Sequence, residues 1–469
     1  MKKTIKIVFI GLYFSLWGLG NAVIAQEAFR ISGKIAGYEE NSIGVTIYKN
    51  WVEEPIEYDL KLDKKKQFIL ETVLEDIAYI DLNIGEYGFY QWKIEPKDNI
   101  VLNADYHDFR NTLKISGEGS AKFQYFLEQE KKFTIEKDWD YELQNLRKIS
   151  RKGYFDLTNY LKTEQINLLN KYRIDLSENF YMLQRADIIG KYYNSELGFL
   201  MFHKIFSKEE IKTFDLKIIN PKTQAKSLEF GIFIEQLIDN TNATAKKYPE
   251  DKLVEIEAIK DYFESLDLVE RPLLERIIAT KVIQFIEKEG ATEENKLMVG
   301  SFKNYAKNQS YINAVLKKIN KYQQVETGRT VKNFILPDIK GNLISLKDFR
   351  GKNVILVNFA SWCGPCVQDL EYLKVVINYF KEANDLVLIA VSTDTRDDFE
   401  NFVKATKVSA IYLNAFDSEE YKQNFNTEFL PNFLLIDKSG TIIIDKIEEP
   451  SLDEGRSLIR QIESLIYKK

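Results

Sequence analysis

The sequence Trp362-Cys363-Gly364-Pro365-Cys366 decides the fold of the C-terminal part of this chain, and it holds both of the chain's cysteines. An apolar run from Val354 to Phe359 precedes it, as expected of a buried strand, and a helix-like run begins near Val367. Two thiols separated by two residues at a strand-to-helix turn can close a small disulfide. This position predicts a redox centre rather than a structural cross-link.

Thiol exchange needs one exposed thiolate and a second thiol that displaces the bound product. The N-terminus of a helix offers unpaired N–H groups and a partial positive charge, and both favour a thiolate. We therefore predict that Cys363 is the attacking nucleophile and that Cys366, on the same helical face, resolves the mixed disulfide. Asp369 lies three residues further along and could accept or return a proton. The alternative is that Asp369 is an ordinary acid of the early helix, favoured there by the helix dipole.

Two other uses of the cysteines have less support from the residues. A structural zinc ion needs four ligands, and this chain offers two sulfurs with no second such pair and no histidine nearby. A peroxide-reducing cysteine is the second alternative, but Ala360-Ser361-Trp362 lacks the proline and threonine of that type of site. We expect no metal and no cofactor beyond a redox-active disulfide between Cys363 and Cys366.

The composition indicates a globular protein of several domains. Hydrophobic residues make up 45% and charged residues 29% of 469 residues, and the net charge is -6 with both signs interspersed. A chain of this length predicts two to four domains. The sequence has no basic patch of the kind that binds nucleic acid, so we expect no nucleic-acid partner.

The N-terminus has the pattern of a signal peptide. Lys2, Lys3 and Lys6 precede an apolar run from Ile7 to Leu19, and small residues end at Ala25. The alternative is an uncleaved anchor, although the apolar run is shorter than the ~20 residues of a membrane span. We predict a signal peptide at residues 1–25 and an exported, soluble protein of the periplasm or cell envelope. Structural disulfides persist in these oxidising compartments. Because this chain has no second cysteine pair to supply one, its single close pair is expected to serve thiol-disulfide exchange.

The rest of the chain divides into three predicted parts. Short strand-like runs separated by turn residues predict an antiparallel, sandwich-like β domain at 26–118. Residues 119–326 are predicted to be helical, because apolar residues recur at helical spacing. The clearest example is formed by Leu274, Ile277, Ile278, Val282, Phe285 and Ile286.

Residues 327–469 predict an α/β domain with a mixed sheet. The expected order is strand, helix, strand, helix, then a hairpin and a final helix. The second strand is expected at Leu386–Val391, and the final helix at Ser451–Tyr467 with Ser451 as its N-cap.

Residues 331–469 resemble the TlpA/ResA-like thiol-disulfide oxidoreductases of the thioredoxin superfamily. The matching positions are Phe334 to Asp338, Lys340-Gly341-Asn342 with Ser345-Leu346, Gly351-Lys352, Asn358-Phe359, Ala360 to Cys366, Leu430-Pro431-Asn432-Phe433 and Ile436 to Gly440. The resemblance implies a thioredoxin-like fold in which Pro431 is a cis-proline facing the disulfide. Asp369 falls on the family's acidic position, where glutamate is commoner. Asn358 falls where cytoplasmic thioredoxins have a buried aspartate.

The resemblance also implies a function. It implies a reductase of protein disulfides that receives electrons from a membrane thiol-electron transporter, and one family task is the reduction of apocytochrome c thiols. Residues 27–118 resemble the β-rich domain of unknown function often fused ahead of such domains. In the alternative hypothesis, the N-terminal and helical regions of an envelope binding protein hold a partner and the redox domain is accessory.

Two departures from the family pattern lead to structural expectations. The segment between Asn358 and Cys363 is one residue shorter than usual, since no aromatic residue follows Phe359. This predicts a bulge or an altered end of the strand. Leu370-Glu371 replaces a proline that often follows the acidic residue, which predicts a less kinked helix.

Overall fold

The computed structural model describes residues 28–133, 147–242, 269–383, 385–427, 430–445, 447 and 449–467. The predicted signal peptide at 1–25 lies outside these residues. The chain divides into two compact units, one of Met1–Lys281 with Gly300–Ala314 and one of Val282–Val299 with Val315–Lys469. Within the described ranges, no helix has the length and apolar character needed to cross a membrane.

The first unit begins with eight strands in two four-stranded sheets. The strands are β1 (Ala28–Ala36), β2 (Ser42–Tyr48), β3 (Ile56–Lys61), β4 (Gln67–Val73), β5 (Ala78–Ile84), β6 (Tyr87–Ile94), β7 (Asn99–Asp105) and β8 (Lys114–Glu118). The strand orders are β4-β1-β7-β8 and β3-β2-β5-β6. Alternate residues of β2 are buried, and both sheets contribute to one hydrophobic cluster.

The expectation of a wholly antiparallel domain is wrong at one pairing, because β1 and β7 are parallel. Parallel neighbours need a long connection between them, and here the chain passes through β2 to β6 before it returns. Short-range sequence patterns do not contain this information. The sandwich arrangement itself stays a prediction.

Helices follow the strands, with α1 already before β8. They are α1 (Phe109–Thr112), α2 (Ser120–Phe133), α3 (Arg151–Lys171), α4 (Glu178–Phe202), α5 (Pro221–Gln224), α6 (Leu228–Asn242), α7 (Arg271–Glu289), α8 (Glu293–Tyr305) and α9 (Gln309–Gln323). Phe123 of α2 and Phe180 of α4 belong to the same hydrophobic cluster as the strands. The border between the compact units falls within α7, α8 and α9. The predicted domain borders at 118 and 326 stay predictions.

The second unit contains a five-stranded mixed sheet and a short hairpin. Its strands are β9 (Ile335–Pro337), β10 (Leu343–Ser345), β11 (Asn353–Phe359), β12 (Leu386–Ser392), β13 (Ile411–Asn414), β14 (Asn432–Ile436) and β15 (Ile442–Ile444). Its helices are α10 (Gly364–Tyr379), α11 (Arg396–Ala405), α12 (Glu419–Asn424) and α13 (Arg456–Ile462). The sheet order is β13-β12-β11-β14-β15. The predicted mixed α/β domain is confirmed, while β13 and α12 were absent from the expected order.

The central strand β11 is buried at every residue. Its odd-numbered residues Ile355, Val357 and Phe359 join one hydrophobic cluster, which also contains both cysteines. Val354 and Leu356 join a second cluster on the other face of the sheet. A strand covered on both faces is expected to be continuously apolar, which explains the run from which the fold was predicted.

The expected bulge at the end of β11 is wrong. Residues of β11 pair with β12 in unbroken register up to Phe359, and with β14 up to Asn358. In the turn that follows, the Cys363 N–H donates to the Ala360 carbonyl oxygen at 3.1 Å; the alternative of an altered strand end stays a prediction. Helix α10 runs as one helix from Gly364 to Tyr379.

The final helix begins later than its sequence suggested. Helix α13 starts at Arg456, after Gly455 with a φ of 79°, and Ser451 lies in a separate 3-10 turn, Pro450–Leu452. Ser451 is therefore not the N-cap. Its backbone N–H is directed elsewhere, to the carboxylate of Asp369 at 2.9 Å.

Asn358 is a polar residue of β11 on the same face as Val354 and Leu356. Its side-chain amide is hydrogen-bonded at both ends. Asn358 has no exposed surface. Its Oδ1 accepts from the Tyr421 hydroxyl at 2.7 Å, and its Nδ2 donates to the Phe425 carbonyl oxygen at 3.4 Å. Burial raises the pKa of Tyr421 well above its usual value, so the phenol keeps its proton and donates. An amide in this setting stabilises the fold but cannot exchange protons.

This bond leads to a stability prediction. Tyr421→Phe leaves a buried acceptor on Asn358 without its donor and should lower the free energy of unfolding by about 1 to 3 kcal/mol. Tyr379→Phe is the control, because its hydroxyl bonds Glu463 at 2.8 Å on an exposed surface and its loss should leave stability near wild type. Urea unfolding of both variants tests this, and equal stability for the two would contradict it.

Candidate active site

The two cysteines form a disulfide at the start of α10. The Cα atoms of Cys363 and Cys366 are 5.3 Å apart, and the S–S distance is 2.00 Å. Cys363 is the N-cap residue, and its Sγ accepts the backbone N–H of Cys366 at 3.3 Å. Pro365 fits this first turn, where its missing N–H would have no helical partner. The strand and the cap together place the sulfurs at the carboxyl end of β11.

The two sulfurs differ in access. Cys363 is 7% exposed and Cys366 is 0% exposed, while the neighbouring Trp362 is 77% exposed. A disulfide substrate can reach the first cysteine beside an exposed aromatic surface, whereas the second is covered. This asymmetry supports the predicted division of roles between them.

Asp369 lies on the buried face of α10 with Cys366, Leu370, Leu373 and Val376. Residues three apart on a helix are neighbours on one face, so its carboxylate lies close to the buried cysteine. Its Oδ1 accepts the Ser451 N–H, and its Oδ2 is buried and has no hydrogen-bond partner within the described part of the chain. One carboxylate oxygen is thus held in place and the other is open to a proton.

Pro431 also comes to this end of the sheet. The Leu430–Pro431 peptide bond is cis, in agreement with the resemblance. Asn432, the first residue of β14, pairs with Asn358 near the end of β11. Leu430 packs against the hydrophobic cluster that includes both cysteines. The tertiary structure therefore brings the four predicted site residues, separated by up to 68 positions in the sequence, to one region.

One polar residue at this site, Asp394, was not among the predicted site residues. The Ser361 N–H, two residues before Cys363, donates to Oδ2 of Asp394 at 2.8 Å. Asp394 is 4% exposed and lies in the loop between β12 and α11. The sequence did contain a signal for Asp394. An acid two residues after a buried parallel strand lies at the carboxyl edge of the sheet, where the sites of α/β proteins occur.

No group of three or more histidine, cysteine or acidic side chains in the described ranges is placed to hold a metal ion. A disulfide at a helix N-terminus, one cysteine slightly exposed and one fully buried, and a buried carboxylate on the same helix form an arrangement that can support thiol-disulfide exchange.

Comparisons with known proteins agree with this chemistry. Residues 327–444 match the model of the AhpC/TSA family. The chain is 30% identical over 145 residues to thiol-disulfide oxidoreductase ResA of Bacillus cereus, covering 30% of this chain and 82% of that protein. It is 31% identical over 144 residues to ResA of Bacillus thuringiensis subsp. konkukian, with the same coverage of 30% and 82%.

Among solved structures, the thioredoxin domain of a thiol-disulfide oxidoreductase from Bacteroides vulgatus is similar. The identity is 25%, the match covers 30% of this chain and 98% of that chain, and the TM-score is 0.27.

The difference in access between the sulfurs predicts an order of reaction. When the reduced protein is treated near neutral pH with less than one equivalent of iodoacetamide, Cys363 should be modified at least about tenfold faster than Cys366, because only an accessible thiolate reacts. Peptide mapping by mass spectrometry measures both sites. Cys366→Ser should keep the fast reaction and Cys363→Ser should lose it. Faster labelling of Cys366 would contradict the assignment.

Proposed function

Because this chain belongs to the ResA-like thiol-disulfide oxidoreductases through its C-terminal thioredoxin-like domain, we propose that it reduces protein disulfides outside the cytoplasm. The observation that supports this most directly is the disulfide at the N-terminus of α10, with Cys363 slightly exposed and Cys366 fully buried. The proposed direction and compartment extend the oxidoreductase activity that the family membership establishes.

In the proposed reaction, the reduced protein begins with Cys363 as a thiolate. Its Sγ attacks one sulfur of the substrate disulfide, forms a mixed disulfide and releases the other substrate sulfur as a thiolate. Cys366 then attacks the Sγ of Cys363 and displaces the second substrate sulfur. Two electrons pass to the substrate, Cys366 gives up its proton as it attacks, and the second substrate thiolate takes its proton from water; the protein ends with the Cys363–Cys366 disulfide that the structure contains.

Asp369 is the proposed proton acceptor for Cys366. The resolving thiol must lose its proton in a covered place that bulk solvent does not reach easily. The open Oδ2 of Asp369 lies on the same helical face as Cys366, and the Ser451 N–H holds the other oxygen at 2.9 Å. A positioned carboxylate of this kind raises the thiolate population when the mixed disulfide has to be resolved.

Pro431 is the proposed contact for the substrate backbone. A proline cannot donate a hydrogen bond, but the residues on either side of it can pair with an extended chain. The segment lies at the sheet end where β11 and β14 meet, and Leu430 packs on the cluster around the disulfide. A substrate strand bound there would place its disulfide next to Cys363 and the exposed Trp362.

The reducing direction, the donor and the location are proposed together. The Gly-Pro pair between the cysteines is compatible with a potential near that of thioredoxin, ~-270 mV. An exported protein of such low potential needs electrons from the cytoplasm, and a membrane thiol-electron transporter would supply them. A disulfide of apocytochrome c, which the enzyme would return to the dithiol, is one substrate that fits. The signal-like residues 1–25 support export.

The redox potential tests the direction. In glutathione or dithiothreitol buffers, the full-length protein should give a potential near ~-270 mV, and it should reduce insulin catalytically with dithiothreitol as donor. Cys363→Ser should abolish insulin reduction without loss of folding. A potential close to that of a strong oxidant, ~-120 mV, would overturn the reductase direction.

The role of Asp369 gives a separate prediction. Asp369→Asn removes the proton acceptor and should slow insulin reduction by about a hundredfold, the lower end of the range for lost general-base catalysis. The rate of Cys363 alkylation should stay near wild type, because the first step does not use this carboxylate. Glu371→Gln, an exposed acid of the same helix, is the control. Unchanged turnover in Asp369→Asn would leave Asp369 as an ordinary acid of the early helix.

A further inference from the structure

Two loops leave the sheet side by side at the active-site end. Phe359 ends β11 opposite Ser392 of β12, and the Thr393 N–H donates to the Phe359 carbonyl oxygen at 3.1 Å. The first loop leads through Ser361 to Cys363, and the second contains Asp394. The Ser361 N–H and Asp394 Oδ2, 2.8 Å apart, join them.

A small polar cluster holds Asp394 rigidly. Its Oδ2 also accepts the Ser392 hydroxyl at 2.7 Å, and its own N–H donates to the same hydroxyl oxygen at 2.9 Å. Its carbonyl oxygen accepts from the Asn414 side-chain amide at 2.9 Å. Ser392 is 0% exposed and Asn414 7% exposed, so the carboxylate is fixed by groups that are themselves buried.

The hydrogen bonds that Asp394 accepts do not by themselves require a charged carboxylate. Its Oδ1 is buried and has no hydrogen-bond partner among the residues that the structure describes. A buried charge with an unpaired oxygen is unfavourable, and an asparagine oxygen could accept the Ser361 N–H at lower cost. A negative charge held here would act on the Cys363 thiolate, because Ser361, which Asp394 contacts, lies two residues before Cys363.

We propose that Asp394 is a positioning residue for thiol-disulfide exchange. Its carboxylate fixes the turn from Ala360 to Cys363, and its charge limits how much thiolate Cys363 holds. By opposing the thiolate, the charge favours the disulfide over the dithiol and so favours electron donation. The proposal deepens the proposed function and rests on it, since it assumes that Cys363 is the exchanging sulfur.

The distance and the neighbouring charges fit this role. Ser361 and Cys363 are two residues apart, so the carboxylate lies within about 10 Å of the Cys363 backbone. Asp369 on α10 is the other acid at this site. Arg396, the first residue of α11, donates instead to the carbonyl oxygens of Asp338 and Ile339, at 3.0 and 2.6 Å. The residues of β11, α10 and β14 that share a hydrophobic cluster with the two cysteines carry no charge.

The test compares Asp394→Asn and Asp394→Ala in the reduced full-length protein. Alkylation of Cys363 is followed against pH by mass spectrometry. The asparagine keeps an acceptor for Ser361 but removes the charge. The pH profile of Cys363 alkylation in Asp394→Asn should move to lower pH. Below its midpoint the alkylation rate should rise about twofold to twentyfold, the range that a unit charge at about 10 Å gives for effective dielectric constants between about 80 and about 20. Asp394→Ala also loses the acceptor and should in addition slow insulin reduction by fivefold or more.

The equilibrium with glutathione provides a second measurement. The protein dithiol and one glutathione disulfide exchange two electrons and two protons to give the protein disulfide and two glutathione molecules. Above the midpoint of the alkylation profile, Asp394→Asn should contain several-fold more dithiol than the wild type. Asp397→Asn, an exposed acid in the first turn of α11, is the control and should match the wild type in both measurements.

Each outcome separates the two proposals. If Asp394→Asn folds and its alkylation profile coincides with that of the wild type, the proposal for Asp394 fails while the exchange function stands. If the wild type itself does not equilibrate with glutathione, the proposed function fails. Should Asp394→Asn not fold, Ser361→Pro removes the N–H and keeps the buried carboxylate. Insulin reduction by that variant at the wild-type rate would also overturn the proposal.

Discussion

The burial of β11 on both faces is the constraint on which the catalytic domain depends. Each residue of Asn353–Phe359 is buried, and successive side chains enter two different hydrophobic clusters. A one-residue slip would exchange the two sets and bring Asn358 into the cluster of the disulfide. The register therefore determines where the strand ends, and the strand end determines where Cys363 can cap α10.

The active site combines this apolar scaffold with a few buried polar groups. Asp369 is held from the turn before α13, and Asp394 from the ends of β12 and β13. Each has one oxygen that is bonded and one that is buried without a partner in the described chain. Buried groups of this kind cost stability. In the roles proposed above, Asp369 accepts the proton of Cys366 and Asp394 acts on the turn that leads to Cys363, so the two sulfurs would have different electrostatic surroundings.

The first unit has its own buried polar network. Lys93 of β6 pairs with Asp187 of α4 at 2.7 Å, and the Tyr79 hydroxyl donates to the same carboxylate at 2.8 Å. The Ser227 hydroxyl, just before α6, donates to its other oxygen at 2.6 Å. These bonds join strands to helices across the predicted border at residue 118. The β-rich and helical parts of this unit therefore share both apolar and polar contacts.

The sequence by itself determined the cysteine pair, its place between a strand and a helix, and the cis bond before Pro431 that the family resemblance implied. The first two features follow from local spacing, whereas the cis bond follows only from the family resemblance. Only the tertiary structure decided the parallel pairing of β1 with β7, the bond from Ser451 to Asp369 and the contact of Asp394 with Ser361. Each of these joins segments distant in the chain through one hydrogen bond or one pairing, and no local periodicity records such a contact. The bulge expected at the end of β11 was wrong for the same reason, since pairing with β12 and β14 keeps the strand regular to its end.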